Sequence, residues 1–128
     1  MLIISQNASN YGIPLPSNAI YRINLAWINN IQEFEELLKK HKNHKIFLDL
    51  PINRVKPPNN KYSLNDISQI LKSYNNIKYF AISNVNSSKD LERYIQFIPN
   101  NTILVPKIES PEGIGNVSEI VQAIPGQE

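Results

Sequence analysis

Short apolar runs recur at Leu2–Ser5, Ile20–Trp27, Lys45–Leu50, Lys78–Ser83 and Thr102–Lys107. Each is rich in β-branched or aromatic residues, which predicts buried strands. Between them the apolar spacing changes to that of helices. Ile31, Phe34, Leu37, Leu38 and His41 form one stripe, with Asn29 or Asn30 as N-cap and Glu33, Glu35, Glu36, Lys39 and Lys40 on the outer face. A second stripe runs through Leu64, Ile67, Ile70, Leu71 and Tyr74, with Ser63 as N-cap and Asp66 in the first turn. A third joins Leu91, Tyr94, Ile95 and Ile98, opened by Ser87 or Ser88 and closed by Pro99. A fourth begins near Asn116, places Val117, Ile120, Val121 and Ile124 on one face, and ends at Pro125-Gly126.

The order β-β-α-β-α-β-α-β-α calls for a parallel sheet with right-handed crossovers in an α/β domain. Gln6 to Asn18 carries turn signals and no helical stripe, so the first helix of a regular unit is reduced or absent there. Pro51–Asn60 reads as a loop without room for an inserted domain. Five strands are too few for a closed eight-stranded β/α barrel, which needs about 250 residues. On physics alone an open doubly wound sheet suits the length, while a barrel parent makes this chain about half a barrel whose edge strands need covering by a partner or a continuation.

Composition narrows the function classes. The chain has 128 residues, 41% of them apolar, enough for one domain with a core. A net charge of +2 with scattered lysines argues against nucleic acid or a membrane surface as partner. No apolar run approaches membrane-spanning length. The absence of cysteine rules out thiolate chemistry and disulfides, and a cytoplasmic setting is expected.

Polar side chains sit at or near the C-terminal ends of these strands, where parallel α/β folds place their sites. Strand alternation puts Lys107 and Glu109 on one face, and likewise Arg22 and Asn24. Asp49 ends the third strand, and the fourth ends in Ser83-Asn84, whose hydroxyl and amide suit phosphate contacts. Cations beside carboxylates at one rim suit a phosphorylated or carboxylated substrate with a divalent metal. Blander readings use the same residues: a solvated Lys107–Glu109 pair, an Arg22–Asp49 pair across adjacent strands, or Asn24 bonded to backbone. His41 and His44 fit a helix C-terminus, Trp27 a packing or loop-covering role, and Ser110-Pro111-Glu112-Gly113 a turn.

Five segments in matching order resemble pyruvate kinase. They are Tyr21-Arg22-Ile23-Asn24-Leu25, Ile46–Pro51 with Asn53-Arg54-Val55-Lys56, Tyr62–Asp66, Ala81–Leu91, and Lys107-Ile108-Glu109 followed by Glu112-Gly113-Ile114, Asn116 and Glu119-Ile120. The resemblance implies a partial, half TIM barrel of about five strands spanning residues 1–128, without the family's inserted lid domain. It implies that Arg22, Ser83 and Lys107 bind phosphoenolpyruvate or pyruvate, with Arg22 on the phosphate and Lys107 steadying the phosphoryl group in flight. Glu109 would bind Mg²⁺ or Mn²⁺, Asn24 and Asp49 would help hold K⁺, and Lys56 would face nucleotide phosphates. These roles fit phosphoryl transfer, which needs positioning and charge neutralisation.

The chain departs from that family at Ala26-Trp27-Ile28 and Leu50-Pro51-Ile52, which replace a serine-histidine-glycine and a threonine-lysine-glycine. The strand bearing the second metal-binding aspartate is also missing. The expectation is therefore an incomplete phosphoryl-transfer site, weak or inactive in the isolated chain, in a homo-oligomer or in a protein with a C-terminal continuation. Its rivals are a metal-dependent aldolase or lyase related to the citrate-lyase-like barrels, and a non-catalytic relic or assembly module.

Overall fold

A computed structural model describes residues 3–5, 16–52 and 61–126. Five parallel strands, β1 (Ile3–Ser5), β2 (Ile20–Asn24), β3 (Lys45–Leu50), β4 (Ile77–Ile82) and β5 (Ile103–Pro106), lie in the order β1-β2-β3-β4-β5. This order has no reversal, unlike the doubly wound sheet that length alone suggested. Among the described residues β1 and β5 each pair on one side, so the sheet is open there.

The helices are α1 (Ile31–Lys40), α2 (Leu64–Ser73), α3 (Lys89–Ile95), α4 (Pro111–Gly115) and α5 (Val117–Ala123). The two longest start where the sequence places a cap. Asn30 accepts the Glu33 amide at 2.8 Å, and Ser63 and Asp66 form a reciprocal capping box. Phe34 and Leu38 of α1, Ile67, Ile70 and Leu71 of α2, Leu91 and Tyr94 of α3, and Ile120 of α5 are buried in one cluster with Tyr21, Ile23, Ile46, Leu48, Leu50, Phe80, Ile82 and Leu104. Alternation along the strands therefore gives one sheet face to the helices. The intervening residues, Arg22, Asn24 and Asp49 among them, are turned to the other. Among the described residues no helix is long and apolar enough to cross a membrane.

Several boundaries differ from expectation, each for a local reason. β2 stops at Asn24, whose side-chain oxygen accepts the Ala26 amide at 2.9 Å and winds Leu25–Trp27 into a 3₁₀ turn. Trp27 is 53% exposed and packs into no core. β5 stops at Pro106, so Lys107 and Glu109 follow the strand instead of lying on it, although the Lys107 amide still donates to Ile82 at 2.9 Å. The Ser110–Gly113 turn is helix α4, with Ser110 accepting the Gly113 amide at 3.0 Å and Pro111 in the first turn. It is separated from α5 at Asn116. Ser88 makes no side-chain cap; Asp90 instead accepts the Asn86 and Ser87 amides at 2.8 and 3.2 Å. The expected lack of a helix between β1 and β2 falls mostly in residues 6–15, and Lys56 in 53–60, both outside the described residues.

Candidate functional site

The ends of β2, β3, β4 and β5 surround a small polar cavity of about 170 Å³. Arg22, Asn24, Asp49, Ser83, Lys107 and Glu109 all line it, joined by Pro51 and Asn84. Sheet register explains the convergence. Asn24 pairs with Asp49, Asp49 with Ala81, and Ala81 with Val105, so one row of the face turned away from the described helices leads to Ser83 after β4 and Lys107 after β5.

Asp49 is the centre of the charge arrangement. Its side chain is 1% exposed, and its Oδ2 accepts from Arg22 Nε at 3.1 Å, from Arg22 Nη2, and from Lys107 Nζ at 3.0 Å. Lys107 Nζ also lies 3.8 Å from Glu109 Oε1, and Glu109 is 44% exposed. Both blander readings of these charges are thus present at once, as parts of a linked set. Two cations and two carboxylates cancel formally. Asp49 Oδ1 is buried and has no hydrogen-bond partner among the described residues, and an acceptor left unmet in such a place is costly.

The rim is held from below by main-chain contacts. Ser83 Oγ accepts the Ile52 amide at 2.7 Å and donates to the Ile52 carbonyl at 3.0 Å, so the hydroxyl expected to reach a phosphate is committed to the chain after β3. Asn84 has φ +51°, a left-handed conformation that asparagine tolerates better than most residues. From there its amide N–H donates to Glu109 Oε1 at 3.2 Å, and its side-chain nitrogen donates to the Ile52 carbonyl at 3.0 Å. Sequence reasoning saw Asn84 as a ligand contact and missed this orienting role. The signal available was a non-glycine residue suited to positive φ directly after a buried strand.

A second layer fixes the Lys107–Glu109 segment. The Val85 amide donates to the Lys107 carbonyl at 3.0 Å, Ser110 Oγ bonds Asn86 Oδ1, and Asn116 donates to the Asn86 carbonyl at 2.8 Å. Gly113 is required at its place because an added Cβ would stand 2.6 Å from the Val85 carbonyl oxygen. On the β2 side, Tyr62 donates its hydroxyl to the Ile28 carbonyl at 2.6 Å. Burial, reinforced by Glu33 and Asp66, pushes the Tyr62 hydroxyl above its usual range and keeps it a donor.

The donor set fits the two expected ions differently. No group of three or more His, Asp or Glu side chains is arranged for a metal among the described residues. Mg²⁺ commonly uses one or two carboxylates together with substrate oxygens, so half-exposed Glu109 fits a divalent ion arriving with its ligand. For a monovalent ion, Asn24 Oδ1 already caps the 3₁₀ turn and Asp49 Oδ2 is held by two cations, which leaves Asp49 Oδ1 as the open acceptor among the described residues.

No protein-family model matches the chain, and no curated protein matches it.

Proposed function

We propose that the rim of Arg22, Asp49, Lys107 and Glu109 binds a small carboxylate or phosphorylated carboxylate of the phosphoenolpyruvate/pyruvate class. The observation that carries this reading is the meeting of both cations and both carboxylates in one polar cavity of about 170 Å³. An incoming anion takes charge-assisted hydrogen bonds from Arg22 and Lys107, which Asp49 holds in place beforehand. Glu109, oriented by the Asn84 amide, supplies the protein's carboxylate to a divalent ion that also touches the ligand. In pyruvate kinase-like terms Lys107 neutralises charge on a transferring phosphoryl group and Lys56 serves the nucleotide. The consecutive strand order supports the proposal of a partial barrel, with β1 and β5 covered by a second copy or further chain.

A binding module without turnover is the second reading. It is favoured by the ion pairing already present, since Asp49 is shared by the two cations that a transferring phosphoryl group would need. Calorimetric titration with phosphoenolpyruvate and with pyruvate, each with and without Mg²⁺, tests the common claim. Binding that Mg²⁺ strengthens and that Lys107→Met and Glu109→Gln each weaken by roughly tenfold is expected. Binding unaffected by both substitutions overturns the site. An assay of phosphoryl transfer from phosphoenolpyruvate to ADP separates the two readings, and carbon–carbon cleavage without nucleotide would mark a lyase.

A further inference from the structure

At the end of the sheet opposite the charged rim, α1 passes into β3 through a turn that carries His41 and His44. His41 is 3% exposed, and its ring centroid lies 4.0 Å from that of Tyr21. The Nδ1 atoms of the two histidines are 3.3 Å apart. His44 Nε2 lies 3.1 Å from the Pro16 carbonyl oxygen. A carbonyl only accepts, so this contact assigns the hydrogen to Nε2 and leaves the Nδ1 of a neutral His44 with a bare lone pair facing His41. The backbone beneath is held as well, because Asn76 Nδ2 donates to the His41 and His44 carbonyls at 3.3 and 2.9 Å.

We propose that His41 and His44 form a two-histidine chelate for a borderline divalent metal ion such as Zn²⁺. Two imidazole nitrogens bound at about 2.0–2.1 Å to a tetrahedral ion stand about 3.3–3.4 Å apart. The pair holds that spacing already. His44 also has the outer hydrogen bond to a carbonyl that fixes the tautomer of metal-binding histidines. Binding requires the His41 ring hydrogen to sit on Nε2 instead of Nδ1, so a neutral pair takes the ion with no net proton release. Both Nδ1 lone pairs then reach the metal, and among the described residues no third His, Asp or Glu joins them. The C-terminal end of α1, at His41, adds an electrostatic preference for a cation.

The test is a titration of the full chain with Co²⁺ followed by visible absorption, with Zn²⁺ displacing it. A saturable signal of one ion per chain is expected, weakened by roughly tenfold or more in His44→Gln. His44 is partly exposed, which makes that substitution gentler than one at His41. Circular dichroism establishes that the variant is folded. Lys107→Met, at the other end of the sheet, is expected to leave Co²⁺ binding unchanged, so this result stands apart from any outcome at the rim. No saturable binding, or equal binding by wild type and a folded His44→Gln variant, overturns the chelate and leaves a hydrogen-bonded pair only.

Discussion

On the helix side of the sheet, Tyr21, Ile23, Ile46 and Leu48 are fully buried among apolar neighbours. One residue along the same strands, Arg22, Asn24 and Asp49 face the other way and make ion pairs and a turn cap. The two faces depend on different physics. The first is stabilised by area removed from water and tolerates changes that preserve volume. The second depends on partners: removing one member of its charge set takes a shared partner from the others. A parallel β/α sheet thus keeps its folding and its chemistry one residue apart on the same strands.

Leu48→Ala strikes the first face and is expected to have the largest effect, a loss of about 2–5 kcal/mol in urea unfolding. Rim ligand affinity per folded molecule should stay near wild type. Asp49→Ala strikes the second face and should cost about 1–3 kcal/mol, because Arg22 and Lys107 lose their shared acceptor. If Asp49→Ala unfolds like wild type, the coupling of the rim charges is broken. Gly113→Ala should cost about 1–3 kcal/mol by driving a methyl against the Val85 carbonyl, and the amide resonances of 107–109 should shift with it. Ser63→Ala removes one half of a capping box and should cost about 1 kcal/mol in the same unfolding assay.

Alkaline pH gives the smallest contrast. Burial holds the folded-state pKa of Tyr62 above the ordinary tyrosine value of 10.0, so the unfolded chain ionises first. The stability linked to this proton is complete below that value and is lost as pH rises through the folded-state pKa. Urea midpoints should therefore fall above pH 10, and fall less in Tyr62→Phe.

How much of this was legible depended on whether one position or two had to be known. Alternation of Ile46, Leu48 and Leu50 marks β3 at Lys45–Leu50, and the structure has it there. Arg22, Asp49 and Lys107 could be placed at one rim because side-chain parity along parallel strands is a local property. What Ser83 bonds was not legible, since its partner Ile52 is 31 positions away and belongs to a different connection. The end of β2 was hidden for a related reason: Asn24 reads as a strand residue until its side chain is seen folding back on Ala26. Ser110-Pro111-Glu112-Gly113 has a composition that serves a turn or a helix start equally, and contacts from Ser110 and Asn116 to Asn86 accompany the helix.

The central claim is that the charged rim is one ligand site built on the sheet face turned away from the described helices. Amide chemical-shift mapping during titration with phosphoenolpyruvate and Mg²⁺ tests it most directly. Shifts concentrated at Arg22, Asn24, Asp49, Asn84, Lys107 and Glu109, and abolished together by Lys107→Met, are the predicted result. Shifts centred instead on the larger cleft of Leu71, Asn75, Phe97 and Asn101, or unchanged in Lys107→Met, would contradict it.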